Sequence, residues 1–332
     1  MKVSLIICTY MRAKALSMLL ESIMKQSLIP NEILIIDGSI DTETFNMLKA
    51  FQQKEIKYYK VDNKDRGLTR QRNFGISNVS KDIDIVCFLD DDIVLKETYF
   101  ENLISTYIKR DDVSGVGGYI INEVHWRKSK EVEKATNKEY SYEGYIRPLG
   151  ARNKIRRIVG LFSDKPPGIM PEFSNGLSIS FLPPSGKIYS VEYFMGGVSS
   201  FRKEVVDDVK FSTYFEGYGL YEDLDYCLRV SKKYKLFVNT SAELYHYHDD
   251  SGRPNKYSYG KMVVRNGWYV WRVKYPNPSI KARFKWNCII LLLTTIKLLN
   301  VVSTNKRKEA FTEFVGRVVG WISLIFNKPL HR

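Results

Sequence analysis

Three consecutive carboxylates, Asp90, Asp91 and Asp92, are the side chains of this sequence whose type and spacing most directly suggest chemistry. They follow an apolar run, residues 83–89, that has the pattern of a buried strand. Adjacent like charges repel each other, and at the end of a buried strand they are costly unless a cation neutralises them. Carboxylate oxygens suit Mg²⁺ or Mn²⁺, but a solvated acidic turn that caps the next helix would have the same sequence. A metal site and a helix cap therefore both remain open.

The elements that would position these carboxylates follow from an alternation of apolar runs and helical patterns. The apolar runs are residues 3–8, 33–36, 56–61 and 83–89, and helical patterns lie between them. This alternation predicts an α/β fold with a mostly parallel, Rossmann-like sheet and helices on both faces. Ligands of such sheets bind beyond the carboxyl ends of the strands. Thr9, Asp37 and the three aspartates fall at these ends and are predicted to share one rim.

Composition and simple motifs exclude several classes of protein. The 332 residues suffice for one large domain or two ordinary ones, and the charged fraction of 27% is that of a folded chain. The four cysteines are scattered without CxxC spacing, which indicates a reducing compartment, and no signal peptide is expected. Neither GxGxxG nor GxxxxGK[ST] is present, so a nucleotide would have to be held by other means.

Four segments together resemble the ordered motifs of the family 2 glycosyltransferases: Ser4–Arg12, Ile35–Ser39, Gly67–Ile76 and Phe88–Asp92. The resemblance covers the N-terminal third of the chain. It implies an inverting enzyme of the GT-A fold that uses a nucleotide-diphosphate sugar and a divalent metal, Mn²⁺ or Mg²⁺. Two positions depart from the family pattern. Met11 stands where Asn is usual, and Asp37 stands alone where two acidic or polar residues are common.

The resemblance also implies roles for individual residues. Thr9 and Asp37 would contact the base or ribose, Asp90 would lie near the ribose, and Asp92 would bind the metal. Arg72 would lie near the diphosphate, and since it cannot share a helix face with Arg70, at most one of the two would reach a given phosphate. The remaining nucleotide-sugar-binding residues would be Tyr10, Arg12, Asp91, Gly196 and Gly197. Paired glycines let backbone approach a ligand closely, although a simple tight turn remains an alternative for Gly196 and Gly197.

A second acidic motif, Glu222–Asp225, begins a segment with the apolar spacing of a helix. Negative charges are favourable in the first turn of a helix, which is one interpretation of this motif. Inverting sugar transfer also needs a carboxylate that removes the proton of the acceptor hydroxyl. The Glu222-Asp223 pair resembles the catalytic base motif of the family, with Asp223 as the base and with Glu222 and Asp225 orienting it or the acceptor.

His246 and His248 lie two residues apart, which in an extended segment places them on one face. By resemblance, His246 as first choice and His248 as second would complete the metal site with Asp92. A structural role is the alternative for either histidine. An imidazole ligand would favour Mn²⁺ over Mg²⁺.

The positive charge of the chain is concentrated in residues 253–332, which contain 16 Lys or Arg and 2 Asp or Glu. Residues 286–302 and 309–326 carry apolar stripes, with Trp and flanking Lys or Arg. These features are typical of amphipathic helices on an anionic membrane surface, although packing on the catalytic domain remains open. The 17 residues of the first segment are marginal for a spanning helix. No nucleic-acid recognition motif is present.

The sequence thus predicts a GT-A catalytic domain at residues 1–252 and a basic amphipathic helical, membrane-associating segment at 253–332. Residues 1–110 would bind the nucleotide sugar, and residues 111–252 would supply the acceptor side and the base. The predicted function is sugar transfer to a hydroxyl of a polysaccharide or lipid-linked glycan, on the cytoplasmic face of a membrane. The alternatives are a polyprenyl- or dolichyl-phosphate sugar transferase and a non-catalytic nucleotide-sugar-binding scaffold.

Overall fold

A computed structural model describes residues 1–51, 53–130, 133, 135–248 and 254–330 of the chain. The chain divides into two compact units, the first comprising Met1–Trp126 and Ile179–Gly252 and the second Arg127–Ser178 and Arg253–Arg332. The predicted boundary between residues 252 and 253 lies outside the described residues. The second unit groups residues 127–178 with the C-terminal helices, and the assignment of residues 1–252 to catalysis stays a prediction.

Twelve strands occur in the described part of the chain: β1 Val3–Thr9, β2 Glu32–Asp37, β3 Ile56–Lys60, β4 Ile85–Asp90, β5 Ile93–Leu95, β6 Gly115–Ile120, β7 Arg127–Lys128, β8 Glu139–Tyr142, β9 Tyr145–Pro148, β10 Ile188–Val191, β11 Val198–Arg202 and β12 Leu236–His246. Strands β3, β2, β1 and β4 lie side by side and are parallel. Their register places Thr9 opposite Asp37 and Cys8 opposite Asp90. The predicted parallel sheet and its common rim are therefore present.

Beyond β4 the sheet changes direction in a way that the sequence did not predict. Strand β11 pairs antiparallel with both β4 and β6, β12 runs parallel to β6, and β5 and β10 pair antiparallel with β12. Strand β12 is the longest of these and extends from Leu236 to His246. The second half of β12 is rich in polar residues, and β5 has only three residues, so neither shows a clear hydrophobic period.

Ten α-helices occur among the described residues: α1 Ala13–Ile23, α2 Glu43–Leu48, α3 Leu68–Ser77, α4 Tyr99–Lys109, α5 Ala151–Ile158, α6 Lys203–Asp208, α7 Glu222–Val230, α8 Lys256–Lys274, α9 Ile280–Ser303 and α10 Arg307–Phe326. The apolar stripe of α1 is buried in the sheet core and consists of Leu16, Leu19, Leu20 and Ile23. Helices on the sheet thus bury its apolar faces, which leaves the carboxyl ends of the strands to carry polar groups.

The second unit contains the antiparallel sheet β7-β9-β8 and the helices α8, α9 and α10. Helices α8 and α10 pack closely through glycines. A β-carbon at Gly260 would overlap the carbonyl oxygen of Glu313, and one at Gly316 would overlap that of Tyr257. Close backbone approach at small residues is typical of helix pairs in membranes.

The polar stripe of α10 faces inward and much of its apolar surface faces outward. Glu313 is buried and forms two ion pairs at 2.8 Å, one with Arg317 of the same helix and one with Lys297 of α9. The exposed apolar side chains of α9 and α10 are Ile280, Phe284, Leu291, Leu298, Leu299, Val302, Phe311, Ile322, Ile325 and Phe326. By length and composition, α9 is the one helix of the described chain that could cross a membrane. Its apolar 18-residue stretch has a mean hydropathy of 1.6, and 22% of that stretch is buried.

Candidate active site

The three consecutive aspartates have different partners. Asp90 ends β4, and its side chain is 42% exposed. Asp91 is buried, accepts a hydrogen bond from Thr9 Oγ1 at 2.6 Å, and accepts another from Arg12 Nη1 at 3.1 Å. Burial raises the pKa of Asp91 to about 7, although Arg12 and Thr9 oppose the increase. Asp91 therefore holds the end of β1, and Arg12 also offsets the charge of Asp92, whose carboxylate lies 3.6 Å away.

Asp92 is brought to the histidine pair by the pairing of two strands. In the register of β5 and β12, Ile93 lies opposite His246, and His246 Nε2 lies 3.3 Å from Asp92 Oδ1. The other ring nitrogen, Nδ1, lies 2.8 Å from Glu123 Oε1, and His248 Nε2 lies 3.1 Å from the same oxygen. Burial alone would lower the pKa of His246, but hydrogen bonds to Asp92 and Glu123 raise it to about 10. His246 thus lies between two carboxylates, while the more exposed His248 contacts one.

Arg72 links the aspartate cluster to the first turn of α7. It is 2% exposed, and its Nη1 donates to Glu222 Oε1 at 2.5 Å while its Nη2 donates to Asp90 Oδ1 at 3.3 Å. The rings of Phe88 and Phe211 lie 5.8 and 5.2 Å from the guanidinium carbon. A buried arginine thereby connects two acidic motifs that are far apart in the chain.

Asp223 is the second residue of α7. The residue that precedes the helix, Tyr221, has a left-handed backbone conformation with a φ of 70°. Its Oδ1 accepts from Leu224 N at 2.7 Å, and its Oδ2 accepts a longer bond of 3.3 Å from Gly196 N. Burial raises the pKa of Asp223, and it raises the pKa of Glu222 to about 8 while Arg72 opposes the increase. A carboxylate with a raised pKa is a stronger base.

Gly196 and Gly197, which precede β11, approach these side chains closely. A β-carbon at Gly197 would overlap the carboxylate of Asp90, and one at Gly196 would lie 2.7 Å from Arg72 Nη1 and 2.8 Å from Glu222 Oε1. The carbonyl oxygen of Gly197 also accepts from Asp90 N at 3.0 Å. The site therefore has no space for a side chain at either position.

The carboxylate of Asp37 is fully buried and has several protein partners. Its Oδ1 accepts from Ser39 N at 2.7 Å, and its Oδ2 accepts from the Tyr58 hydroxyl at 2.8 Å and pairs with Lys60 at 3.2 Å. Asp37 thus holds the turn after β2. Its contact with a base or ribose stays a prediction.

Tyr10, which is exposed, and Arg66, which is half-buried, lie at the same rim. The Arg66 guanidinium lies 5.9 Å from the Tyr10 ring, and Arg66 Nε donates to Gly38 O at 2.7 Å. Met11 has a φ of 57°, and its N–H donates to Ser39 Oγ at 2.8 Å. Asn tolerates this left-handed conformation better than Met, so the Asn that the family resemblance implies here would suit the backbone.

Three residues of the site were not assigned from the sequence: Arg66, Gln71 and Glu123. Gln71 Nε2 donates to Thr9 O at 3.1 Å and to Ile36 O at 2.7 Å, so it joins the ends of β1 and β2. Glu123 follows β6, and only the pairing of β6 with β12 brings it to His246. Gln71 lies inside the Gly67–Ile76 segment, but the resemblance assigned it no role, and the residues around Glu123 form no recognisable motif. Arg66 was one of several basic residues in its loop.

Two other candidates lie away from the site. Arg70 pairs with Glu216 at the surface, so of the two arginines in α3 only Arg72 reaches the acidic cluster. Asp225 is fully buried and pairs with Arg229 of the same helix at 2.7 Å. Asp225 therefore stabilises α7 from within.

The donor set beside Asp92 fits a divalent metal. Ligand atoms of Glu123, His246 and His248 all lie within 4.8 Å of one another. Carboxylate oxygen together with imidazole nitrogen suits Mn²⁺, and carboxylates also suit Mg²⁺. If Asp92 and His246 Nε2 are the ligands, Glu123 on Nδ1 has the usual place of a carboxylate that orients a metal-bound imidazole.

Comparison with known proteins identifies the family of this chain. The family model described as Glycosyl transferase family 2 matches residues 4–195 of the sequence. A glucosyl-dolichyl phosphate glucuronosyltransferase of Haloferax volcanii is 28% identical over 130 residues, which are 39% of this chain and 41% of that protein. The O-antigen chain rhamnosyltransferase RfbN of Salmonella typhimurium is 30% identical over 98 residues, 30% of either protein. The chain thus spans less than half the length of these curated relatives.

The crystal structure of S. aureus TarS 1-349 is similar over 98% of this chain and 81% of that chain, with a TM-score of 0.52 and 15% identity. At this identity the similarity is one of fold. Together with the mainly parallel central sheet, it confirms the predicted GT-A fold.

Proposed function

Because this chain belongs to glycosyl transferase family 2, we propose that it moves a sugar from a nucleotide-diphosphate sugar to a hydroxyl of a glycan, with inversion at the anomeric carbon. One observation carries the proposal. Within a single compact unit, Arg72 joins the strand-end aspartate cluster to the first turn of α7, where Asp223 lies. Inverting transfer needs a charged donor site next to one basic carboxylate, and this arrangement supplies both.

Asp223 is the general base in this proposal. It removes the proton of the acceptor hydroxyl as that oxygen attacks the anomeric carbon. Its Oδ2 has one long hydrogen bond, to Gly196 N, and retains a lone pair. Glu222 is less suited to this role because its Oε1 accepts a hydrogen bond from Arg72 Nη1 at 2.5 Å. Glu222 instead positions Arg72 beside the base.

The donor would bind along the rim formed by the ends of β1, β2 and β4, where ligands of parallel sheets bind. Thr9 and Asp37 hold the backbone of this rim, and Asp90 faces outward toward the ribose. The exposed ring of Tyr10 and the half-buried cation of Arg66 beside it are available to the nucleotide. The buried charge of Arg72, and Gly196 and Gly197 next to it, would lie near the diphosphate.

A divalent metal would be held by Asp92 and His246, with His248 as a further candidate ligand. When bound, it supplies positive charge that neutralises the departing diphosphate. Glu123 orients the His246 ring from the opposite side, at 2.8 Å. The imidazole donor favours Mn²⁺ over Mg²⁺.

The acceptor would be a polysaccharide or a lipid-linked glycan. The names of the two relatives, one for a glucosyl-dolichyl phosphate and one for an O-antigen chain, support this class. Exposed apolar side chains on α9 and α10, and the basic composition of residues 253–332, support peripheral attachment to the cytoplasmic face of a membrane.

The base assignment is tested with Asp223→Asn. We expect kcat to fall by about 10²–10⁴-fold, because an amide cannot take up the acceptor proton. Release of the nucleoside diphosphate is measured with a panel of nucleotide sugars, Mn²⁺ and lipid-linked glycan acceptors. Asp207→Asn is the matched control, since Asp207 is an exposed residue of α6 that pairs with Lys203.

Two results would contradict the proposal. Nearly full activity of Asp223→Asn would show that no strong base is needed, as for transfer to a polyprenyl phosphate. Absence of both transfer and metal-dependent hydrolysis across the donor panel would favour a nucleotide-sugar-binding scaffold. Thermal shifts of both variants with nucleoside diphosphates separate loss of donor binding from loss of chemistry.

A further inference from the structure

The second unit contains a groove of about 490 Å³ between the C-terminal ends of α8 and α10 and the N-terminal end of α9. Four of the five tryptophans of the chain line this groove: Trp268, Trp271, Trp286 and Trp321. Its charged lining residues in the described chain are all cations, Arg272, Arg283 and Lys328. The groove thus combines aromatic surface with positive charge.

The two arginines have backbone partners but no carboxylate partner. Arg272 Nη2 donates to Pro276 O, and Arg283 Nε donates to Pro278 O at 3.1 Å. Over the residues that the structure describes, no carboxylate oxygen lies within the 4.0 Å ion-pair distance of Arg272, Arg283 or Lys328. An anion bound between the arginines would relieve their mutual repulsion through charge-assisted hydrogen bonds.

Of these cations, Arg272 most clearly has unused hydrogen-bonding capacity. Its Nε is buried and lacks a hydrogen-bond partner among the described residues. Burial lowers the pKa of Arg272, and the charge of Arg283 lowers it further. A buried donor without a partner is unfavourable, and a phosphate oxygen would supply the missing acceptor.

The aromatic part of the groove is suited to a membrane interface. Trp271 and Trp286 are stacked with ring centroids 5.1 Å apart, and the guanidinium of Arg272 lies 5.6 Å from the rings of Trp268 and Trp271. Trp321 Nε1 donates to Asn287 Oδ1 at 2.9 Å, so its polar edge is held while its ring lines the groove. Tryptophan concentrates at the headgroup level of bilayers because its ring is amphipathic.

The same helix ends carry exposed apolar side chains, Ile280 and Phe284 on α9 and Ile325 and Phe326 on α10. A free phosphate or a nucleotide would leave these side chains in water. A phospholipid would cover them with its acyl chains while its phosphate meets the arginines. The inward polar stripe of α10, with Glu313 buried, is consistent with an apolar environment outside this helix pair.

We propose that Arg272, Arg283 and the surrounding tryptophans form a binding site for the phosphate of an anionic membrane phospholipid. One bound headgroup at this end of the bundle holds α9 and α10 against the bilayer surface. The membrane setting rests on the proposed function, whereas the choice of a phosphate ligand rests on the unopposed arginines.

The test compares binding of the full chain to vesicles of phosphatidylcholine alone and of equal parts phosphatidylcholine and phosphatidylglycerol, measured by cosedimentation. The site variant is Arg272→Gln/Arg283→Gln. The control, Arg307→Gln/Lys308→Gln, removes the same charge from exposed positions at the other end of α10. Non-specific attraction of about 1 kcal/mol per basic residue would weaken both double variants about 30-fold. We expect the site variant to lose at least tenfold more affinity than the control.

Equal losses in the two double variants would overturn the proposal, because they would show bulk charge attraction only. Equal binding of the wild type to the two kinds of vesicle, together with a thermal shift in millimolar inorganic phosphate that the site variant loses, would show that the groove takes free phosphate instead of a lipid. Binding to phosphatidylcholine vesicles that contain polyprenyl phosphate, but not to those that contain phosphatidylglycerol, would identify the acceptor carrier as the ligand and would also overturn it.

A conservative variant covers the case in which the glutamine variant does not fold. Arg272→Lys/Arg283→Lys keeps the charge but removes the planar fork that holds a phosphate in two hydrogen bonds. We expect weaker binding than in the wild type, and equal binding would contradict a defined site. Asp223→Asn should still bind vesicles, so failure of the base assignment and failure of the lipid site remain distinguishable.

Discussion

Replacement of Arg72 by methionine should destabilise the first unit in a pH-dependent manner. Arg72 and Glu222 are both buried, their side chains are joined at 2.5 Å, and Glu222 Oε2 has no hydrogen-bond partner among the described residues. Arg72 is therefore the main compensation for burying Glu222. At pH 6, where Glu222 is protonated, we expect a loss of about 1–3 kcal/mol, the cost of one unsatisfied buried polar group.

The pH dependence follows from the sign of the pKa shift. Burial raises the pKa of Glu222 to about 8, and without Arg72 it rises further. A carboxyl group with a higher pKa in the folded state gives stability that is complete below its unfolded pKa of about 4.3 and is lost as the pH rises through the folded value. Wild type stops losing this stability above pH 8, whereas Arg72→Met continues to lose up to about 1.4 kcal/mol per pH unit. At high pH the total loss of unfolding free energy in Arg72→Met should therefore approach the 3–5 kcal/mol that breaking a buried ion pair costs.

Urea unfolding of wild type, Arg72→Met, Glu222→Gln and the double variant from pH 6 to pH 9 measures this effect. In the double variant no carboxyl is left to ionise, so the additional loss above pH 8 should disappear. A penalty that is independent of pH, or that is largest at pH 6, would refute the reasoning. An equal pH dependence in the double variant would assign it to another group.

Two further predictions concern the geometry of the site. Gly197→Ala places a methyl group on the carboxylate of Asp90 and should cost about 1–3 kcal/mol in stability, measured by urea unfolding; Gly150→Ala, where a β-carbon meets no atom within 4 Å, is the control. Equal effects of the two substitutions would show that the close contact is relieved at no cost. Glu123→Gln should weaken Mn²⁺ binding about 10–100-fold in calorimetric titrations, because it loosens the orientation of His246. Unchanged affinity would exclude Glu123 from the metal site.

The sequence by itself determined the parallel half of the sheet and its rim. Each of β1, β2, β3 and β4 is a local apolar run, and strands that alternate with helices become parallel neighbours. Parallel strands end at one edge, so Thr9, Asp37 and Asp90 could be placed together before any tertiary contact was known. The order of the motifs indicated the family in the same way, because three of the four include the carboxyl end of a strand: Ser4–Arg12, Ile35–Ser39 and Phe88–Asp92.

Tertiary structure alone decided which distant residues complete the site. Glu123 reaches His246 through the pairing of β6 with β12, and Asp92 reaches it through β5, a strand of three residues. Short or polar strands have no hydrophobic period from which pairing could be predicted. Partners across a sheet depend on register, which the local sequence does not specify.

The C-terminal helices show the same division. The sequence revealed that α10 has one polar and one apolar stripe, because helical periodicity is a local property. It did not reveal that the polar stripe faces inward, where Glu313 pairs with Lys297 and Arg317. Periodicity defines the two faces of a helix, but which face is buried depends on what packs against it. Here the glycine contacts between α8 and α10 made that choice.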